Sequence, residues 1–347
     1  MRLSPPLSTP LRIAAATLWL PDRRDTTEAA LAAGRVDEET AARLGYREVT
    51  VSHDHAAPQM AVLAATDALA AAGWDGSGLG MVAHAWTYHQ GHDFWSPANY
   101  VAHHIGASTA NAVGVQQMCN GGAAALEVAA ARMIADPGVA RAAVTTGDRF
   151  LPPAFDRWLG DYELVYGDAG TALLLDRAQG PYELLSVATV ARSEYETMHR
   201  GDDEFSSMPR TLPRVDVRRT KRAFVASGAE PGFDATLIEA VVEVVTTALT
   251  EAGLAPDDPR VRFLTLPRLG AGPLEEFFQP AVDLLGLRHA EVLNLGGGTG
   301  HLGAGDSAAN LATLHTEKRL AEGEVALLLS LGGGFSWSCV AVRAVAR

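Results

Sequence analysis

The order of strand-like and helix-like stretches repeats once along this chain, and that repeat limits the possible folds more than any other feature. Residues 56–73 form a helix-like run that ends in a glycine, and a strand-like stretch follows at residues 79–86. Residues 234–253 and 261–266 repeat this plan about 180 residues further on. Because strands alternate with helices, we predict an α/β architecture made of two halves with one topology.

The repeat continues through a pair of glycine-rich turns. In each half a predicted strand leads through such a turn into a predicted helix. Strand and helix are residues 112–118 and 123–134 in the first half, and 291–295 and 307–315 in the second. Residue identity between the halves is weak, so the order and spacing of the elements carry the argument. We predict domains at residues 1–178 and 179–347.

Equivalent turns of a two-fold repeat can meet at the pseudo-symmetry axis. Cys119 and His301 each lie in the strand-to-helix turn of their own half, about one repeat length apart. The spacing therefore nominates a thiol and an imidazole as partners in one site. The alternative for His301 is a structural role in its turn.

Cys119 follows an apolar strand-like stretch and precedes Gly121, Gly122 and a predicted helix. A sharp strand-turn-helix presents a nucleophile, the glycines allow close approach of the backbone, and a helix N-terminus favours a thiolate. The alternative is a small buried hydrophobic residue, and we give that interpretation to Cys339 in its apolar stretch. For Cys119 the turn and the repeat favour a nucleophile.

Around this cysteine the chain resembles ketoacyl-ACP synthase III and its thiolase-fold relatives, over nearly its whole length. The matching stretches are VGVQQMCNGGAAALEVA, TTGDRF, YGDAGTALLLD and the C-terminal LGGGFSWSCVAVR. The resemblance implies a thiolase fold, in which two pseudo-symmetric α/β halves pack as a five-layered αβαβα sandwich. It also implies a homodimer.

The resemblance further implies how such a site works. The co-substrate is a phosphopantetheine thioester, carried by an acyl carrier protein or by coenzyme A, and no cofactor is permanently bound. The backbone N–H groups of Cys119 and Gly333 hold the oxyanion. A simple turn is the alternative role of the triple glycine at residues 332–334.

Two positions depart from the pattern of the family's decarboxylating members, which use a histidine and an asparagine. Arg268 stands where that histidine is expected, and His301 stands at about the asparagine position. An arginine is always charged and has no acceptor, so it cannot act as a general base. The departures therefore favour acyl transfer without decarboxylation.

His301 is followed by Asp306 in the sequence HLGAGD. An aspartate that accepts the imidazole N–H fixes its tautomer and stabilises the imidazolium, as in catalytic triads. The alternative for Asp306 is a helix N-cap. A Cys119/His301/Asp306 set resembles the acyltransferase branch of antibiotic and polyketide pathways, so we predict transfer of an acyl group from Cys119 to a hydroxyl or a carrier thiol. The main alternative is a decarboxylating condensing enzyme.

Two further groups of residues are candidates for substrate contacts. The basic run at residues 214–222 reads RVDVRRTKR and is interpreted either as a docking site for a carrier protein or coenzyme A, or as a solvated loop. Its candidate docking residues are Arg218, Arg219, Lys221 and Arg222. An aromatic group ahead of the nucleophile either lines the acyl or acceptor pocket or belongs to the core. Its members are Trp86, His89, Phe94 and Trp95.

Charge and composition exclude several other classes of function. A net charge of −13 argues against nucleic acid as a partner, and two cysteines cannot build a disulfide framework, so we expect a cytoplasmic protein. No apolar run reaches the roughly 18 residues of a membrane span. The histidines lack a metal-ligand pattern, so no metal is expected. Two weaker alternatives are a dinucleotide site at the G-x-G-x-x-G of residues 298–303 and an inactive thiolase-fold partner protein.

Overall fold

The computed structural model describes residues 10–207, 213–228 and 232–346. The ends of the two predicted halves, residues 1–9 and 347, lie outside the described residues. The strands are β1 (Arg12–Trp19), β2 (Arg23–Thr26), β3 (Glu48–Val51), β4 (Met81–Ala85), β5 (Asn111–Val115), β6 (Arg141–Asp148), β7 (Ala169–Asp176), β8 (Tyr182–Ala191), β9 (Val261–Thr265), β10 (Glu291–Leu293), β11 (Val325–Gly332) and β12 (Ser336–Ala344).

The helices alternate with these strands. They are α1 (Thr27–Ala32), α2 (Glu38–Leu44), α3 (Ala57–Ala72), α4 (Pro97–His104), α5 (Gly121–Ala135), α6 (Thr197–Arg200), α7 (Val217–Ala226), α8 (Phe233–Ala252), α9 (Ala271–Pro273), α10 (Gln279–Leu285) and α11 (Asp306–Thr316). A π-helical turn, Leu274–Phe278, joins α9 to α10.

Ten of the strands form two similar five-stranded units. The order is β5-β4-β6-β7-β1 in the first unit and β10-β9-β11-β12-β8 in the second. In each unit the first two pairings are parallel and the last two are antiparallel, so the fourth strand runs opposite to the other four. The units join where β1 meets β8, through the pairs Arg12 with Glu183 and Ile13 with Tyr182.

Helices on both faces of the sheets complete five layers. Helix α3 packs on the outer face of the first unit and α8 on that of the second, whereas α5 and α11 lie together between the units. The alanine-rich sequence of α5 allows close packing on both sides. Its large buried side chains, Leu126 and Met133, each contribute roughly 1.5–3 kcal/mol by burial. The predicted thiolase-fold sandwich is confirmed.

Residues 193–207 and 213–222 are partly helical, although a solvated loop was one interpretation of the basic run at residues 214–222. They contain α6 and most of α7, and Phe224 at the end of α7 is buried in the core of the second unit. The sequence of α7 is dominated by charged residues, so the apolar residues on its buried face were not recognised from the sequence. No helix in the described ranges is both long and apolar enough to cross a bilayer.

Candidate active site

The turn between β5 and α5 presents Cys119. Met118, directly before it, has a left-handed φ of +47°, which is uncommon for a residue with a side chain. Cys119 is half-buried and its thiol has no disulfide partner. The helix begins two residues later at Gly121, so the predicted strand-turn-helix around this cysteine is present.

The two half-chain turns touch each other through their backbones. A Cβ atom on Gly122 would lie 2.3 Å from the carbonyl oxygen of Ala304, a distance that no side chain tolerates. Gly303 has a positive φ of +60°, and a Cβ there would meet the carboxylate of Asp148. Glycine at these positions is therefore what brings the first turn of α5 against the turn that precedes α11.

His301 is fixed by its main chain to the first half. Its N–H donates to the Val165 carbonyl at 2.9 Å, and its carbonyl accepts from the Gly167 N–H at 2.9 Å. The imidazole packs edge-on against the ring of Tyr166, with centroids 5.5 Å apart. These two main-chain hydrogen bonds therefore fix His301, a residue of the second half, to the backbone of the first half.

Asp306 orients this imidazole. Its Oδ2 atom lies 2.7 Å from Nδ1 of His301 and also accepts from the Arg268 N–H at 2.8 Å, while Oδ1 accepts from the Leu302 N–H at 2.9 Å. Asp306 is also the first residue of α11. The carboxylate therefore occupies Nδ1 of His301, and Nε2 is the ring nitrogen that Asp306 does not contact.

Nε2 of His301 is buried and has no nitrogen or oxygen partner among the described residues. His301 and Cys119 line one cavity. Burial alone would lower the pKa of His301, but the charges of Asp306 and Cys119, and side-chain hydrogen bonds to both, raise that pKa well above its usual value. The same imidazole, with the charge of Arg268, lowers the pKa of Asp306 against the effect of burial.

Arg268 occupies the position where the resemblance placed a histidine, but its side chain points away from the cavity. The guanidinium is 1% exposed and donates to Asn310, to the Leu295 carbonyl and to Thr299 at 3.0, 3.0 and 2.7 Å. Burial lowers its pKa to about 10. Arg268 is therefore a buried structural residue next to the His301–Asp306 pair, and it does not line the cavity.

The glycine turn between β11 and β12 packs on the nucleophile turn. A Cβ atom on Gly332 would lie 2.6 Å from the backbone nitrogen of Asn120. Asn120 in turn donates to Ser336 and Ser338 of β12, at 3.1 and 2.9 Å. Gly333 lines the cavity together with Cys119, which is the arrangement that the predicted oxyanion site requires.

The cavity in front of Cys119 has a volume of about 460 Å³ and is mostly apolar. Its wall comes from the second half and from residues 161–166. The principal apolar side chains are Leu164, Tyr166, Met198, Phe224, Phe233, Leu237, Phe277, Phe278, Leu331 and Phe335. Asp161, Glu163, Lys221 and His199 add a polar side to the wall.

The aromatic group proposed for this pocket from the sequence does not line it, and that expectation is corrected. Phe94 is fully exposed, and Trp86 stacks on His84 with centroids 5.7 Å apart. Trp95 packs against Tyr100, and His89 pairs with Asp93. The four residues lie at the β4 end or on the loop before α4, whereas α7, α8 and the 269–278 segment build the cavity wall.

The four predicted docking residues lie on α7, and an acidic or aromatic side chain of the same chain contacts each of them. Arg219 pairs with Asp203, and Lys221 pairs with both Asp161 and Glu163. Arg218 lies over the ring of Tyr162, with its guanidinium 4.8 Å from the centroid, and Arg222 donates to the hydroxyl of the same tyrosine. Of the four, Lys221 and Arg222 line the cavity.

Sequence reasoning missed a buried carboxylate that joins the two halves. Asp148, in the quoted TTGDRF stretch, accepts from the N–H groups of Thr87, Tyr88 and Ala304 at 2.9, 2.8 and 3.0 Å. Burial raises its pKa to about 7. An acid directly after a glycine at a strand end was the available signal. No group of three potential ligands in the described part of the chain is arranged to hold a metal ion.

The fold and this constellation define a thiolase-fold protein with a cysteine turn facing a histidine turn. The family model for the C-terminal part of 3-oxoacyl-[acyl-carrier-protein] synthase III matches residues 274–344. The structure of ChlB3, described as an "Aceyltransferase", is 30% identical with a TM-score of 0.88, over 97% of this chain and 98% of that one. The chain belongs to the ketoacyl-ACP synthase III-like family of the thiolase fold.

More distant structures share the fold. The 3-oxoacyl-[acyl-carrier-protein] synthase III of Aquifex aeolicus VF5 is 19% identical with a TM-score of 0.76, over 96% of this chain and 99% of that one. AbyA1, described as a tetronic acid condensing enzyme, is 22% identical with a TM-score of 0.75, over 96% of this chain and 100% of that one. A comparison with curated protein sequences gave no significant match.

Proposed function

We propose that the protein is a ketosynthase III-like acyltransferase. It moves an acyl group from a thioester of an acyl carrier protein or coenzyme A, through an acyl-enzyme on Cys119, to a hydroxyl or a carrier thiol in secondary-metabolite biosynthesis, without decarboxylation. The observation that carries the proposal is the buried pair in which Asp306 Oδ2 lies 2.7 Å from His301 Nδ1, with the imidazole in the cavity of the cysteine. The name of ChlB3 supports the same class of reaction.

In the loading step the Cys119 sulfur attacks the thioester carbonyl. The sulfur reacts as a thiolate, and the imidazole of His301 carries a proton in this step, since the charges of Asp306 and Cys119 raise the pKa of His301 well above its usual value. The C–S bond to the pantetheine breaks, and the leaving thiolate takes the proton from His301. The products are an acyl-enzyme, a free pantetheine thiol and a neutral imidazole.

Loading removes the negative charge of the sulfur, which is one of the groups that raise the pKa of His301. The imidazole is then a base for the second step. It removes the proton of the acceptor hydroxyl or thiol as that atom attacks the acyl carbonyl, and the Cys119 sulfur leaves as a thiolate. The imidazolium–thiolate pair is thereby restored, and protons and charges balance over the cycle.

Both steps pass through an oxyanion. We assign its stabilisation to the backbone N–H groups of Cys119 and Gly333, because the glycine turn packs against the nucleophile turn and both residues line the cavity. Preorganised N–H donors of this kind lower an acyl-transfer barrier by roughly 3–4 kcal/mol.

The position of Arg268 supports transfer without decarboxylation. Removing carbon dioxide from a malonyl thioester leaves an enolate that hydrogen-bond donors near the thioester must stabilise. Arg268 lies outside the cavity and is occupied by Asn310, Thr299 and a backbone carbonyl. His301 is then the one imidazole paired with a carboxylate in the cavity wall among the described residues.

The donor is proposed to enter beside α7. Arg222, Val225 and Asp234 are exposed and line the cavity, so its mouth lies there. Arg222 is then the docking residue best placed for a phosphate or an acidic carrier surface. We also propose a homodimer, since β5 is an edge strand of the sheet and all of its residues are exposed or half-buried.

Intact-protein mass spectrometry after mixing with a panel of acyl thioesters tests the proposal. We expect one acyl mass to be added at Cys119 and to leave when a hydroxyl or thiol acceptor is supplied. Peptide mapping locates the adduct, and Cys339→Ala is the matched control, since that thiol is buried and burial raises its pKa to about 12. Absence of any adduct with every thioester would sink the proposal.

A decarboxylating condensing enzyme is the second candidate. It is favoured by the shared fold of the 3-oxoacyl synthase III structures and AbyA1, and by His301 standing near the asparagine position of condensing members. Release of carbon dioxide from malonyl thioester by the loaded enzyme would support this candidate. Loss of the acyl group to an acceptor with no carbon dioxide supports simple transfer.

A further inference from the structure

One polar side chain in the cavity wall is unexplained by the acyl-transfer steps. His199, on α6, lies against the glycine turn, and a Cβ atom on Gly333 would be 2.5 Å from its Nδ1 atom. Phe335 packs on its other side, with ring centroids 5.4 Å apart. The Nδ1 atom is buried and has no hydrogen-bond partner among the described residues.

His199 lines the same cavity as the nucleophile. Gly332 packs on the backbone of Asn120, next to Cys119, and Gly333 packs on His199. His199, Gly333 and Cys119 all line the one cavity. An acyl group bound to the sulfur therefore has the imidazole of His199 within the same small chamber.

The charged residues next to His199 differ from it, because they have partners within the chain. Lys221 bonds to the carboxylates of both Asp161 and Glu163, so the cluster is paired within itself. Burial and the charge of Lys221 lower the pKa of His199 to about 4, against the effect of Asp161. His199 is thus a neutral imidazole at neutral pH, with one nitrogen that donates and one that accepts.

We infer that His199 is a specificity-determining residue, and that its Nδ1 atom hydrogen-bonds a hydroxyl group on the acyl chain carried by Cys119. A hydroxyl both donates and accepts, so it satisfies Nδ1 in either tautomer. An unsubstituted alkyl or aryl group would leave that nitrogen buried without a partner. The inference rests on the proposed function, and it names the substrate class as hydroxylated acyl thioesters.

Matched pairs of thioesters that differ by one hydroxyl test this assignment. Suitable probes are N-acetylcysteamine thioesters of butyrate and 3-hydroxybutyrate, and of benzoate and its three monohydroxy isomers. The rate of adduct formation at Cys119 is measured by intact-protein mass spectrometry. We expect the best hydroxylated member to load about tenfold or more faster than its plain partner, as one hydrogen bond to a buried group predicts.

Variants at position 199 separate recognition from folding. In His199→Leu the preference for the hydroxylated partner should collapse, whereas His199→Gln, which still donates and accepts, should keep part of it. His289→Leu, an exposed histidine far along the chain, is the control and should keep the full preference. Loading of the plain thioester by His199→Leu shows that this variant is folded.

The outcomes are distinguishable. Equal loading of every pair by the wild type, or an unchanged preference in His199→Leu, overturns the inference while the proposed acyl transfer stands. If His199→Leu is unfolded, an unchanged preference in a folded His199→Ala variant overturns it equally. Failure of all thioesters to load the wild type overturns the proposed function and this inference with it.

Discussion

The strand-to-helix turns of the two halves occupy equivalent places in the fold and are built in opposite ways. The turn of the first half is open: Cys119 is half-buried, and Gln116 and Gln117 beside it are exposed. The turn of the second half is closed, and His301 and Asp306 are each 2% exposed. Hydrogen bonds from main chain and side chain hold the second turn on both sides.

The difference follows from what each group has to do. A nucleophile must reach the carbonyl of a large incoming thioester, so its turn is accessible and relies on a helix N-terminus. A base must keep one direction and one tautomer through both steps, so its turn is fixed by a buried carboxylate. The same topology therefore meets two different physical requirements. Substitutions in the two turns should impair different properties of the protein.

Replacing the nucleophile should have the largest effect. In Cys119→Ala no sulfur is left to form the thioester, so adduct formation should fall below detection, while the melting temperature changes little because the side chain is half-buried. Intact-protein mass spectrometry and thermal unfolding measure the two quantities. Residual acyl loading of this variant at another residue would contradict the assignment of the nucleophile to the first turn.

Replacing the closed turn's residues should slow turnover strongly without removing the thiol. His301→Ala, and Asp306→Asn with the wrong tautomer of the imidazole, should lower kcat by roughly 10³–10⁴. Asp148→Asn is the matched control, an equally buried acid at a strand end. It should cost about 1–3 kcal/mol of stability and less than tenfold in kcat. Equal kcat losses in Asp306→Asn and Asp148→Asn would contradict the role of Asp306.

A larger residue at the backbone contact between the two turns should affect both the stability of the fold and the rate of acyl loading. A methyl group at Gly122 meets the Ala304 carbonyl at 2.3 Å, so Gly122→Ala should destabilise the fold by about 1–3 kcal/mol. It should also lower the rate of loading about tenfold, because the sulfur and the imidazole move apart. Gly78→Ala, where the new methyl has ordinary contacts, is the control. Unfolding curves and loading rates decide the matter.

The pH dependence of acyl loading is the smallest of the expected effects, and it tests whether His301 supplies the proton. Loading needs protonated His301, so it should fall on the alkaline side as the imidazolium loses its proton. Asp306 raises the pKa of His301 against burial. Removing that charge in Asp306→Asn should therefore move the alkaline limb of the rate profile to lower pH. An unmoved limb would show that His301 does not supply the proton.

The sequence predicted the repeat and the cysteine turn because both depend on local patterns, whereas the sandwich was implied by the resemblance to the family. Glycines close the predicted helices, apolar strands precede the turns, and the 180-residue offset aligns Cys119 with His301. The HLGAGD spacing also anticipated the contact between His301 and Asp306. These inferences need only order and spacing along the chain.

The cavity wall could not be predicted in the same way. His199 and Lys221 come from a segment whose charges resemble a solvated loop, but they line the cavity on α6 and α7, which Met198 and Phe224 anchor in the core. Phe94 and Trp95 looked like pocket residues, but aromatic composition carries no information on direction. Likewise, no sequence pattern tells that the Arg268 guanidinium turns inward to Asn310.

The backbone contact between Gly122 and Ala304 constrains how activities can diversify on this scaffold. The turns that carry the sulfur and the imidazole meet through main-chain atoms, and the contact leaves no space for a side chain at Gly122. Exchanges at positions 119, 301 or 306 change the reacting or orienting group while the contact between the two turns is kept. Insertions near either turn would disturb the geometry that holds the sulfur and the imidazole in one cavity.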